Sequence, residues 1–130
     1  MGFIRFRAVC TVLLCALLAV LFWLPQRMLT KNAADWTAAM DRAEAALKVN
    51  DLATARAECA ALTASFQAKE STLERFLNHD AVDAVLTSLM EAQALAEAAD
   101  APGALSAIVS ARGGLEHLLC IERFTWNALL

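Results

Sequence analysis

Nowhere in this 130-residue chain do apolar and polar residues alternate, and no segment is rich in Val, Ile, Thr and Tyr, so no β-strand is proposed. Its four cysteines, Cys10, Cys15, Cys59 and Cys120, form no CxxC pair and no Cys/His ligand spacing, which excludes a disulfide framework and a zinc finger. Metalloprotease-type HExxH and ExxH pairs, a nucleophile elbow around any serine and a glycine-rich phosphate loop are all missing. The chain is therefore expected to be no enzyme, with no catalytic residues and no cofactor. Acid is missing from the first 31 residues, where Arg5, Arg7, Arg27 and Lys31 give +4. The remainder holds the other seven of the eleven bases and all fourteen acids, hence −7. So acidic a segment repels phosphate backbones, and nucleic acid is not expected as a partner.

Where acid is missing, hydrophobicity is concentrated. "AVCTVLLCALLAVLFWL", residues 8–24, runs about 17 positions without a charge, the lower limit for crossing a hydrocarbon core of about 30 Å. Phe3, Ile4 and Phe6, with snorkelling arginines, extend its reach. A cleaved signal peptide has a similar basic-then-apolar start, but cleavage needs small residues just after the run and "PQRMLTKN" supplies none. Neither Cys10 nor Cys15 has the preceding small residue that lipid attachment requires; both read as small apolar residues of the run. The expectation is an uncleaved anchor, residues 1–31 including a short linker, with the bilayer as its partner. The α-amino group, Arg5 and Arg7 face Arg27 and Lys31 across it, a balance that leans to a cytoplasmic N-terminus and an extracytoplasmic acidic domain at the cell membrane.

About 100 residues remain, 32–130, enough for a thin bundle but not for a deep pocket. Much of the 59% hydrophobic content is alanine, which favours helix while burying little area. Asn32 is a candidate cap for a first helix with Trp36, Met40, Ala43 and Leu47 on one side. Asp51 then caps a second of about 27 residues with Leu52, Ala55, Cys59, Leu62, Phe66, Leu73 and Phe76 in a row, interrupted by Lys69. In "FLNHDAVDAV", Asn78 and His79 read as a helix end and Asp80 as the cap of a third helix bearing Val82, Val85, Leu89, Ala92 and Ala96, with Asp83 in its first turn. "DAPG" opens a fourth helix burying Leu105, Ile108, Leu115 and Leu119, with Arg112 and Glu122 in the same row and a bend expected at Gly113-Gly114. Leu47, Asp51, Ala55 and Cys59 are echoed 49 residues later by Ala96, Asp100, Ala104 and Ile108. This pattern predicts an all-α chain: an N-terminal transmembrane helix followed by a four-helix antiparallel bundle made of two αα-hairpins.

Three places in this half, in order, carry a family likeness. They are Phe76, His79, Asp80 and Asp83; the Ser88-Leu89 pair; and the closing "LEHLL" and "WNALL" at 115–119 and 126–130. In these the chain resembles the domain of unknown function 4363 family, small bacterial proteins with one N-terminal transmembrane helix and a short helical domain. The resemblance covers nearly the whole chain and implies that architecture; it supplies no activity. The sequence departs from the family at Ala81, where members carry an acid, and at Gly113-Gly114, where they carry charge.

His79 and His117 are the only histidines, and helix counting at 1.5 Å per residue brings both toward one end with Asp80 and Asp83. These four are the candidate metal ligands, although capping and rim packing explain the same residues without a metal. Helix counting also returns the C-terminus toward the bilayer, so Phe124, Trp126, Leu129 and Leu130 are the candidate membrane or partner contacts. The leading expectation is a non-enzymatic interaction or accessory subunit for another membrane protein. The alternative is an extracytoplasmic sensor binding a metal ion or small cation at the His79/His117 end.

Overall fold

A computed structural model describes residues 2–129, apart from the side chains of residues 25, 26, 76, 122–127 and 129. The chain is all-helical, in the order α1 (Gly2–Lys48), α2 (Leu52–Phe76), α3 (His79–Glu97) and α4 (Ala101–Leu129). It divides into two compact units, Met1–Lys31 and Asn32–Leu130.

Asn32 is an interior residue of the 47-residue α1 rather than a cap. Pro25 deprives the helix of one N–H, at a cost of about 3 kcal/mol in a helix interior. Downstream, however, Gln26, Arg27, Met28, Leu29 and Lys31 are good helix formers with no glycine among them, so the helix continues.

Within Asn32–Leu130 the buried rows of the first three helices follow their predicted spacing. Trp36, Met40, Ala43 and Leu47 are buried on α1, Ala55, Cys59, Leu62, Phe66 and Leu73 on α2, and Val82, Val85, Leu89, Ala92 and Ala96 on α3. Leu52 and Lys69 are half-buried, and the side chain of Phe76 lies outside the described residues. On α4 the buried row is rotated from the predicted one: Ala104, Ala107, Ile108, Ala111, Leu115 and Leu118 are buried, while Leu105 and Leu119 are only half-buried. Alanines on that side allow close approach. The rotation also frees Arg112 from the apolar row, so that its guanidinium reaches Asp41 at 2.6 Å and Glu44 at 2.8 Å on α1. A hydrogen bond from Lys48, helped by Arg112, holds the Glu44 carboxyl below its ordinary value.

Through Gly113-Gly114, where a bend is expected, α4 remains helical, running from Ala101 to Leu129. Gly114 faces α3, where a Cβ would stand 2.9 Å from Val85 Cγ2, so the glycine is a packing residue. Gly113 meets nothing within 4 Å.

Contacts between successive helices run antiparallel. Trp36 Nε1 donates to Ser65 Oγ at 3.0 Å and its ring lies 4.8 Å from that of Phe66, while farther along α1 Arg42 pairs with Glu58 at 3.1 Å. Between α2 and α3, Arg56 Nε donates to the Ala96 carbonyl at 3.0 Å. Buried Thr63 donates to the Cys59 carbonyl one turn back, at 2.8 Å, and lies 3.3 Å from that of Leu89. Val85 against Gly114 and Arg112 against Asp41 bring α4 to α3 and to α1.

The 49-residue echo extends through the buried face and both turns. Ala33, Trp36, Met40, Ala43, Leu47, Ala55, Cys59, Leu62 and Phe66 are buried, and so is the residue 49 positions after each: Val82, Val85, Leu89, Ala92, Ala96, Ala104, Ile108, Ala111 and Leu115. After α1, Asn50 N–H donates to Leu47 O (3.2 Å) and Asp51 N–H to Ala46 O (2.8 Å). After α3, Ala99 donates to Ala96 (3.2 Å) and Asp100 to Leu95 (2.9 Å). In each turn the first donor is left-handed, Asn50 at φ 58 and Ala99 at φ 62, the Schellman way of ending a helix. The following aspartate caps the next helix in both, Asp51 Oδ1 accepting from Thr54 N–H and Asp100 Oδ1 from Gly103 N–H.

Candidate functional site

The connection from α2 to α3 has no counterpart in those two turns. Leu77 is extended (φ −120, ψ 166) and its N–H donates to Leu73 O, closing α2. Asn78 then caps α3, its side chain accepting from Asp80 N–H at 2.9 Å. The cap therefore falls two residues earlier than the sequence suggests, and His79, predicted to end α2, is the first residue of α3. The reason is competition: Asn and Asp cap about equally well, and the extended Leu77 presents Asn78 first.

With His79 in the first turn of α3, Asp83 lies four residues on along the same helical face. His79 Nε2 is 3.3 Å from Asp83 Oδ2, and His79 Nδ1 is 2.8 Å from Glu74 Oε1 in the last turn of α2. Ligand atoms of Glu74, His79 and Asp83 all lie within 4.8 Å of one another. The imidazole is largely exposed at 65%, whereas Glu74 is at 26% and its Oε1 is shielded from solvent without a well-directed hydrogen bond. Glu74 and His79 thus form a close contact whose N–H direction is poor.

Of the four candidate ligands, the structure brings His79 and Asp83 together. Asp80 is exposed in the first turn of α3 and His117 is exposed on α4, and neither belongs to the cluster. Glu74 belongs to it and was missed. The signal for it was an acid in the last turn of a helix, where the dipole disfavours negative charge, five residues before a histidine. The predicted contact residues Phe124, Trp126, Leu129 and Leu130 lie outside the described residues as far as their side chains are concerned. Among the thiols, Cys59 is buried, and desolvation with Glu58 nearby pushes it above its ordinary value, which makes it inert. Cys10, Cys15 and Cys120 are exposed.

Residues 23–129 match a family model described as a domain of unknown function (DUF4363). The chain belongs to that family. A search of curated proteins and a search of solved structures each return no match. The DUF4363 match takes in α2, α3 and α4 whole, and with them the Glu74–His79–Asp83 cluster and both Schellman turns.

Among the described residues, two helical stretches, Gly2–Lys48 and Ala101–Ile121 of α4, are long and apolar enough to cross a membrane. They differ in what they do with that apolar surface. Ala101–Ile121 lends Ala104, Ile108, Ala111, Leu115 and Leu118 to the core, whereas every side chain from Gly2 to Leu24 is exposed.

Proposed function

We propose that this DUF4363 protein is a single-pass membrane protein whose N-terminal apolar segment presents a closed antiparallel four-helix bundle of two αα-hairpins, acting as a non-enzymatic interaction or accessory subunit for another membrane protein. The observation that carries the anchor is a pair of matching brackets. Arg7 lies 5.8 Å from the centre of the Phe3 ring and Arg27 lies 4.8 Å from that of Trp23. Each is an aromatic residue followed four positions on by an arginine stacked over it, and the second stands twenty positions after the first. At 1.5 Å per residue that separation is about 30 Å, the thickness of a hydrocarbon core. Aromatic rings and arginines with this spacing suit the two headgroup layers, where a cation–π contact and snorkelling both keep the guanidinium out of hydrocarbon.

With Arg5, Arg7 and the α-amino group in the cytoplasm, the acidic unit lies outside. Its interior is occupied by Trp36, Met40, Phe66, Leu89 and Leu115, and its excess of acid is displayed on the surface. Such a unit suits recognition of a surface better than chemistry, and its tether restricts it to partners in or at the same membrane. Two measurements on native membranes test the reading. The protein is expected to stay in the membrane fraction at full mass through an alkaline carbonate wash, and a short bifunctional crosslinker is expected to join it to an integral membrane protein. Recovery of a soluble form beginning near residue 30 contradicts the anchor; crosslinks confined to soluble proteins contradict the accessory role.

A further inference from the structure

We infer that the Glu74–His79–Asp83 cluster is a binding site for a borderline first-row divalent cation of the zinc class, with His79 Nε2 and Asp83 as ligands and Glu74 as the group that orients the imidazole. The inference is independent of the membrane reading. Two donors each about 2.0–2.1 Å from a tetrahedral zinc lie about 3.3 Å apart, and His79 Nε2 and Asp83 Oδ2 are separated by 3.3 Å. Their separation by four residues on α3 places both on one face of a rigid helix, so no loop has to be ordered for the ion to be gripped.

Glu74 supplies what a lone His-Asp pair lacks. Its Oε1, shielded from water, stands 2.8 Å from Nδ1. The Nδ1 N–H is not aligned on that oxygen; a small rotation of the exposed ring on ion binding would align it, keep the ring proton on Nδ1 and leave the Nε2 lone pair for the ion, as where a metal-bound histidine is held from behind by a carboxylate. Mixed imidazole and carboxylate donors suit zinc, nickel or copper better than magnesium or calcium, which prefer all-oxygen sets. The 65% exposure of His79 leaves room for water to complete the coordination shell. Because Glu74 belongs to α2 and the two ligands to α3, a bound ion would also fasten the connection at Leu77-Asn78.

The test uses the full-length protein in detergent or nanodiscs, titrated with Zn2+ and with Ni2+ in competition with a chromophoric chelator. One equivalent should bind with a micromolar dissociation constant, and a large excess of Mg2+ should not displace it. His79→Ala and Asp83→Asn should each weaken binding at least about 100-fold, and Glu74→Gln about 10- to 100-fold, as loss of an orienting carboxylate does. His117→Ala and Asp80→Asn should leave it unchanged. The helical circular dichroism of every variant is compared with that of the wild type. For a variant that fails to fold, 15N-labelled histidine in the wild type decides the matter, because Zn2+ should shift the Nε2 resonance of His79 and leave that of His117 in place. Wild-type binding no tighter than millimolar, retention of affinity in His79→Ala, or an unmoved His79 resonance overturns the inference and leaves an ion pair only.

Discussion

Residues 33–66 and 82–115 solve one packing problem twice, with different side chains. Where the first stretch sets Trp36 against Ser65, the second sets Val85 against Gly114, each residue 49 positions after its counterpart. The indole finishes its contact with a hydrogen bond from Nε1 to Ser65 Oγ; the isopropyl group packs so closely on Gly114 that a Cβ there would stand 2.9 Å from Val85 Cγ2. Phe66, whose ring lies tilted 4.8 Å from that of Trp36, has buried Leu115 as its counterpart, as Trp36 has Val85. The difference shows that what repeats is the position of each buried residue and the hydrogen bonding of the turns. Side-chain volume is free to vary, provided the facing residue changes with it.

The largest effect should come from breaking the first pair. Trp36→Ala removes a buried aromatic and takes away the ring partner of Phe66, and should destabilise the protein by about 3–5 kcal/mol in urea titration. Ser65→Ala should cost far less. In the second pair Gly114→Ala drives a Cβ toward the stiff Val85 side chain, a clash of about 1–3 kcal/mol that exceeds the gain of about 1 kcal/mol in helix propensity. Gly113→Ala, with open space around it, should show that gain alone. If the two alanine substitutions behave alike, Gly114 is not a packing residue.

Smaller effects separate the two turns. Alanine in the left-handed region costs about 1–2 kcal/mol, whereas asparagine adopts it readily. Ala99→Gly should therefore stabilise by about 0.5–1 kcal/mol after the extra flexibility of the unfolded chain is counted, and Asn50→Gly should be nearly neutral. A Gly103 side chain would run into the Asp100 carboxylate, while Thr54 at the equivalent place is accommodated, so the second turn has the tighter cap. The smallest effect is one of pH. Hydrogen bonds from the Thr54 side chain and backbone N–H hold the Asp51 carboxyl below its ordinary value. Its contribution to stability is thus fully present above the ordinary carboxylate value and is lost as pH falls through the lowered one. Asp51→Asn keeps a capping side chain that does not titrate in this range, so the advantage of the wild type should be greatest near neutrality and vanish in strong acid. Thermal melts across that range check it, and a gap that does not change with pH would exclude the carboxylate as its source.

The sequence showed most plainly what depends on local periodicity. The rows on α1, α2 and α3 and the capping role of Asp51 follow from spacing and residue type alone. It misled where two local signals competed or where a neighbouring helix decided. Asn78 and Asp80 are equally good caps, and the extended conformation of Leu77 chose between them. The facing of α4 depends on how closely Val85 approaches Gly114, which a single helix does not reveal, and so spacing alone points to Leu105 and Leu119 where Ala111 and Leu118 are buried. Of the candidate site, His79 and Asp83 could be grouped by helix counting as lying at one end of the bundle, although their place on one helix depends on Asn78 being the cap; Glu74 could not, because it reaches the ring across the break between two helices.

In the proposed arrangement the N-terminal apolar segment presents these paired halves at a membrane surface, and the cysteines report on that directly. Cys10 and Cys15 lie within residues 8–24, Cys59 is buried, and Cys120 is exposed on α4. With a membrane-impermeant maleimide on intact cells, the proposed topology requires one label per chain, abolished by Cys120→Ser, with Cys10 and Cys15 reacting only after the bilayer is dissolved. Labelling of Cys10 or Cys15 in intact cells, or of Cys120 only after lysis, would contradict a membrane-spanning segment that carries its helical unit outside the cell.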